Sequence, residues 1–169
     1  MSGMALERAT TWAPHEAVEP RQQYGVIPWR TAKSGELRIM LVTSRGKGRW
    51  IVPKGWQEPD RAPYMSAALE AFEEAGVIGE VVTRPLATFE YLTVSDTLDE
   101  ERRLVTLFSM HVVGTLTNWP ERHQRKRRWF GLADAANVVD DPGLASVIAE
   151  LDRDPGILKK GGTLVPHPA

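Results

Sequence analysis

The sequence predicts an α+β domain built around a mixed β-sheet. Apolar segments of strand length lead the chain, a helical segment interrupts them, further strands return, and helical patterns close the chain. The length of 169 residues corresponds to one domain, which can form a core without disulfides or a structural metal. The 42% hydrophobic and 25% charged residues are typical of a globular protein and exclude a disordered or collagen-like chain.

The strand predictions depend on short apolar runs that are bounded by turn residues. The predicted strands cover residues 24–29, 37–43, 50–52, 80–94, 102–116 and 127–130. Pro28 within the first run indicates an edge strand or a bulge, and Pro53 ends the third run. A turn-like segment at 32–35 separates the first two strands, and an acidic loop at 95–101 separates the two long ones.

The predicted helices cover residues 63–75, 132–139 and 142–151. The first is bounded by Pro63, which suits a first helical turn, and by Gly76, which suits a left-handed C-cap. At about 100° per residue, Met65, Leu69 and Phe72 fall in one narrow apolar stripe of this helix. We expect this stripe to be the packed face of the helix.

Charge, cysteine content and the chain ends limit the possible classes of protein. We predict a flexible arm over residues 1–20, a domain over 21–153 and a flexible tail over 154–169, because the ends carry Pro and Gly without an apolar period. The 21 basic and 22 acidic residues give a net charge of −1, which argues against a global attraction to nucleic acids or membranes. The lack of cysteine excludes disulfides, zinc–thiolate sites and thiol catalysis. No run has the roughly 18 apolar residues of a membrane span, and no leader is visible, so we expect a cytoplasmic protein without a membrane partner.

Three glutamates form the most informative pattern. Glu70, Glu73 and Glu74 share a sector of the predicted helix, roughly 130° from the apolar stripe. Carboxylates at these spacings repel one another by a few tenths of a kcal/mol per pair, and no intrahelical Lys or Arg offsets the repulsion. A solvated acidic face is one interpretation. A site for hard divalent cations, which prefer carboxylate oxygens, is the other.

A basic loop just before this helix favours the metal site. Its cations are Arg45, Lys47, Arg49 and Lys54. Phosphoryl chemistry needs cations beside a carboxylate–metal cluster, because the metal bridges phosphate oxygens while Lys and Arg neutralise the remaining charge.

The same segment resembles a known family motif, the Nudix box. The residues that match its spacing are Gly55, Glu70, Glu73, Glu74, Gly76 and Val77. The flanks WIVPKG at 50–55, TSR at 43–45 and RKRRWF at 125–130 are similar to the branch that hydrolyses diphosphoinositol and diadenosine polyphosphates. Arg61 and Leu69 depart from the box, which has Glu and Arg there. The resemblance implies an α/β/α sandwich around the mixed sheet.

The resemblance also implies roles for individual residues. Glu70, Glu74 and the Gly55 carbonyl would bind a metal, and Glu73 would be the base for the attacking water. Oxygen ligands suggest Mg²⁺, with Mn²⁺ as a substitute. The substrate-binding candidates are Ser44, Arg45, Lys54, Arg125 and the weaker Arg21.

The implied activity is the Mg²⁺-dependent hydrolysis of a phosphoanhydride bond in a highly phosphorylated small molecule. The resemblance points to diphosphoinositol or diadenosine polyphosphates. The basic segment 122–128 could instead grip the 5′-triphosphate end of RNA. Because Arg61 and Leu69 replace usual box residues, a domain that binds nucleotide or polyphosphate with little turnover is a further alternative. Neither the number of ions nor the oligomeric state follows from the sequence.

Overall fold

The computed structural model describes residues 19–165. Residues 1–18 of the predicted arm and 166–169 of the predicted tail lie outside this range. The strands within it are β1 (Arg21–Thr31), β2 (Leu37–Thr43), β3 (Trp50–Ile51), β4 (Lys54–Trp56), β5 (Val77–Val81), β6 (Ala87–Val94), β7 (Glu100–Thr115) and β8 (Arg127–Gly131). The helices within it are α1 (Pro63–Ala75), α2 (Leu132–Val138), α3 (Pro142–Arg153) and α4 (Ile157–Lys160).

The strands form one mixed sheet, as the sequence predicts. Its central path runs β3-β2-β1-β7-β5. In addition, β4 pairs with β1, β6 with β7 and β8 with β2. β1 and β7 are parallel over residues 21–29 and 103–111. The other paired strands are antiparallel.

Both faces of this sheet are covered, which confirms the predicted α/β/α sandwich. Successive strand residues point to opposite faces, so Val26 packs under α1 while Ile27 packs under the C-terminal helices. In the same way Met40 lies on the α1 side and Leu41 on the other. Burial on both sides explains why β2 is apolar without alternation.

The packed face of α1 differs from the predicted stripe. Met65 is 52% exposed, and Leu69 and Phe72 are only half-buried. The small side chains Ala67 and Ala71 face the sheet instead and belong to its core. Alanines let a helix approach a sheet closely, so residue size rather than the apolar stripe decides which face is buried.

Two further element predictions need correction. The predicted strand 80–94 is two strands, β5 and β6, which pair with different parts of β7. The tail expected to be loose from residue 154 instead continues into α4, where Leu158 is fully buried and its carbonyl accepts a hydrogen bond from Ser109 Oγ. The apolar side chain of Leu158 completes the core, and this holds the segment against β7.

No helix within residues 19–165 is long and apolar enough to cross a membrane.

Candidate active site

The site begins where β4 passes beneath α1. β4 pairs with β1, with Gly55 opposite Tyr24. A Cβ atom placed on Gly55 would lie 2.3 Å from the carboxyl group of Glu70. Glycine is therefore required for the backbone of β4 to lie directly against Glu70. This brings together two of the three predicted metal ligands.

Glu74, the third predicted ligand, is held between two donors. The backbone N–H of Lys54 donates to Glu74 Oε2 at 3.2 Å, and the guanidinium of Arg125 donates to Glu74 Oε1 at 3.2 Å. Burial raises the pKa of Glu74 to about 7, although Arg125 opposes this change. The carboxylate is thus fixed in direction but is poorly hydrated.

The other acidic groups are close enough to act on one another. Burial, followed by the charges of Glu73 and Glu121, raises the pKa of Glu70 to about 7. Glu121 enters this cluster because its N–H donates to the carbonyl of Glu73 at 3.0 Å. Glu121 could not be predicted from the sequence, since nothing in its local pattern links the loop after β7 to the end of α1.

The donor set fits a hard divalent cation. A cation would offset the burial and the repulsion that raise the pKa of Glu70, and its preferred ligands are carboxylate and carbonyl oxygens. Within the described part of the chain, no three acidic, His or Cys side chains converge closely enough to hold a metal by themselves. The Gly55 carbonyl or water would therefore have to complete the coordination of Glu70 and Glu74.

A cavity of about 830 Å³ reaches Lys54, the residue whose backbone N–H donates to Glu74. It lies between the loop 44–49 and the β6–β7 hairpin. The cationic side chains that line it are Arg45, Lys47, Arg49, Lys54 and Arg103. Two acidic residues also line it, of which Asp140 pairs with Arg49 at 3.6 Å and Asp141 accepts a hydrogen bond from the N–H of Leu144. The cavity therefore has an excess of positive charge.

Lys54 joins this cavity to the acidic cluster. Its backbone bonds to Glu74, while its Nζ atom lies 5.3 Å from the centre of the Tyr91 ring. Burial lowers the pKa of Lys54, and the charge of Glu74 opposes this change. Lys54 thus links the lining of the cavity to Glu74.

Two other predicted residues also border the cavity. The Oγ atom of Ser44 accepts the N–H of Arg49 at 3.0 Å and so shapes the loop. Arg45 is mostly exposed, and its NH1 atom lies 3.2 Å from Gln124 Oε1 and 3.9 Å from Glu121 Oε1. Arg45 therefore reaches from the cavity towards the acidic cluster.

The structure does not bring Arg21 into the cavity lining. Its guanidinium lies 4.2 Å from the centre of the Trp56 ring and pairs with Glu101. Its partner in the parallel register, Arg103, lines the cavity and donates to Tyr91. Arg103 could not be predicted from the sequence as a cavity residue, because the direction of its side chain depends on strand register.

Arg61, one of the two residues that depart from the family motif, has its ion-pair partner outside the glutamate trio. Arg61 pairs with Glu58 at 2.6 Å on the surface. The basic segment 122–128 divides. Arg125 turns towards Glu74, while Arg127 donates to the carbonyls of Ala75 and Gly76 at the end of α1 and to that of Leu116 after β7. The segment is therefore not one continuous phosphate-binding patch.

Comparison with known sequences finds relatives that are named as hydrolases. Nudix hydrolase 12, mitochondrial, of Arabidopsis thaliana is 32% identical over 129 residues, which are 68% of this chain and 64% of that protein. This chain thus spans slightly less than two thirds of that relative. Diphosphoinositol polyphosphate phosphohydrolase 3-alpha of Mus musculus is 34% identical over 122 residues, 70% of this chain and 69% of that protein.

Solved structures agree on the fold. The C. elegans Ap4A hydrolase has a TM-score of 0.58 at 17% identity, covering 80% of this chain and 98% of that one. A Nudix hydrolase from Nitrosomonas europaea has a TM-score of 0.58 at 18% identity, and the match covers 82% of this chain and 90% of that one. The sequence profile of the NUDIX domain matches residues 19–151, which include every strand of the sheet and the acidic helix. The chain belongs to the Nudix family.

Proposed function

We propose that the protein hydrolyses a phosphoanhydride bond in a highly phosphorylated small molecule, with Mg²⁺ as its cofactor and Mn²⁺ as a substitute. The supporting observation is that Lys54 connects the acidic cluster with the cation-lined cavity. Lys54 belongs to both, through its N–H bond to Glu74 and its side chain in the cavity. A metal and a polyphosphate could therefore meet at one point.

Glu70, Glu74 and the Gly55 carbonyl would hold the cation, which when bound supplies positive charge to the phosphate and acidity to water. Glu73 would accept the proton of the attacking water. The water oxygen forms a new bond to phosphorus, the anhydride P–O bond breaks, and the released phosphate leaves with the bridging oxygen. Lys54 and Arg45 would neutralise the charge that builds on the phosphate oxygens.

The number of cations supports a substrate with several phosphates. Five cationic side chains line the cavity, and one of the two acids there already pairs with Arg49. A diphosphoinositol polyphosphate or a diadenosine polyphosphate would match this charge, and relatives named for each were found. Ser44 and Arg103 are further phosphate contacts in this proposal. Arg21 would meet only a substrate that extends beyond Trp56. The cytoplasmic location stays a prediction.

Phosphate release from a panel of substrates tests the proposal. The panel contains a diphosphoinositol pentakisphosphate, diadenosine tetraphosphate and a triphosphorylated RNA, each with MgCl₂ or with EDTA. We expect turnover of a small polyphosphate with Mg²⁺ only. Glu73→Gln should reduce the rate by about 100-fold or more, as the loss of a general base does. Glu80→Gln, at an exposed position of β5, is the matched control and should keep the rate.

Other results would contradict the proposal. Binding of a polyphosphate without any turnover would indicate a binding module, and turnover of the RNA alone would indicate a 5′-end pyrophosphohydrolase. A normal rate in Glu73→Gln would remove Glu73 from the mechanism.

A further inference from the structure

Arg125 is an enclosed cation near the acidic cluster. Its side chain is only 6% exposed. The guanidinium donates in three directions, to Glu74 Oε1 at 3.2 Å, to Glu121 Oε1 at 3.1 Å and to the carbonyl of Thr43 at 3.1 Å. A phosphate could reach this group only if these bonds were broken. Arg125 also does not line the cavity.

The surrounding loop fixes Arg125 in place. Trp119 Nε1 donates to the carbonyl of Glu74 at 3.1 Å, and the N–H of Glu121 donates to the carbonyl of Glu73. The loop is thus joined to the end of α1 itself. The guanidinium and the acidic helix must therefore move together.

The consequence for Glu74 is geometric. Its two oxygens are held from opposite sides, by the Lys54 N–H and by Arg125, so the carboxylate cannot rotate freely. A planar guanidinium with several fixed N–H donors suits this task, whereas a Lys ammonium is a single point charge. Loss of a partner that orients a metal ligand typically costs about 10- to 100-fold in metal affinity or activity.

We propose that Arg125 is a positioning residue, which holds Glu74 in the direction that a divalent cation requires, and that it does not bind substrate phosphate. The inference rests on the proposed function, because it assumes that Glu74 binds the cation. It replaces the sequence-based assignment of Arg125 to substrate binding.

Mn²⁺ binding without substrate tests this inference, by electron paramagnetic resonance of the free ion. Arg125→Gln should weaken Mn²⁺ binding by about 10- to 100-fold. At saturating metal it should lower kcat while KM for the polyphosphate changes by less than about 2-fold, since binding of substrate is not its role. Arg122→Gln is the matched control, because Arg122 lies in the same loop and its side chain bonds, among residues 19–165, to Thr117 and Asn118.

A second pair of variants separates positioning from a structural role. Arg127→Gln removes bonds to the end of α1 without touching a carboxylate, so it should lower Tm but leave Mn²⁺ affinity close to that of the wild type. Arg125→Lys keeps the charge and should still weaken Mn²⁺ binding, by several-fold, even if Arg125→Gln does not fold.

Each contrary result has a distinct meaning. Unchanged Mn²⁺ affinity with a raised KM in the Arg125 variants would show a phosphate contact and overturn the inference. Equal losses of Tm and of Mn²⁺ affinity in the Arg125 and Arg127 variants would show a merely structural role and overturn it as well. A wild-type protein that binds no Mn²⁺ would instead overturn the metal site, and with it the proposed function.

Discussion

Without a divalent cation, the acidic cluster should make the folded protein less stable as the pH rises from about 5 to about 8. The pKa values of Glu70 and Glu74 are raised from 4.5 to about 7, with burial as the main cause. In the unfolded chain both carboxyl groups lose their protons near the ordinary value. The folded state therefore binds more protons between these limits, so its stability is full below about pH 4.5 and falls as the pH passes through 7.

Glu74 accounts for most of the expected change. A pKa of about 7 against 4.5 corresponds to about 3 kcal/mol of unfolding free energy that is lost once the group is ionised. Glu70 is only half-buried, so solvent screening makes its share smaller. Mg²⁺ at about 100 times its Kd should restore about 2.7 kcal/mol at high pH. It should restore much less near pH 5, where protons compete for the same oxygens.

Urea unfolding followed by tryptophan fluorescence measures this change. The comparison uses about pH 5 and about pH 8, each with EDTA or with MgCl₂. Glu74→Gln should flatten the pH dependence in EDTA and abolish most of the Mg²⁺ effect, whereas the surface variant Glu80→Gln should behave as the wild type. An unfolding free energy that is equal at both pH values in EDTA, or a Mg²⁺ effect that survives in Glu74→Gln, would refute the reasoning.

Three further variants test the packing around the site. Gly55→Ala should push the Glu70 carboxyl aside and weaken Mn²⁺ binding by about 10-fold or more, with little change in Tm, because the added methyl meets only the end of a flexible side chain. Ser66→Ala should raise the unfolding free energy by up to about 1 kcal/mol, since the buried Ser66 hydroxyl has no hydrogen-bond partner among residues 19–165. Leu158→Ala should lower the free energy of unfolding in urea by about 2–4 kcal/mol, because the substitution leaves a cavity in the core beneath α4. Its Mn²⁺ affinity should stay constant. A variant as stable as the wild type would contradict that packing.

The sequence predicts much of the fold because local signals and tertiary contacts agree there. Pro63 and Gly76 bound α1 at both ends, and Gly76 adopts the left-handed conformation with φ of 63°. β4 could not be predicted, because a strand of three residues carries no periodicity and exists only through its pairing with β1. The break between β5 and β6 is equally non-local, since both segments pair with one long strand.

Residues of the candidate site could be predicted where their spacing along one helix brings them together. Residues that come together from separate elements could not. Glu70 and Glu74 follow from helical periodicity. The approach of Glu121 and Arg125 depends on the loop after β7 folding back onto the end of α1. For Arg103, strand register decides that its side chain faces the cavity.

The alanine face of α1, which packs on the sheet in place of the predicted apolar stripe, explains how an acidic helix can lie on this sheet. Large side chains on the inner face would hold the helix away from β4, and Glu74 could then not reach the Lys54 N–H at 3.2 Å. Alanines at 67 and 71 remove that obstacle, so the helix comes close and Glu74 becomes 6% exposed. Close packing alone would leave a buried charge without a partner, which is strongly unfavourable. The enclosed Arg125 supplies that partner from another element. The alanine face and the buried arginine therefore act together: the first brings the carboxylate to β4, and the second makes its burial tolerable.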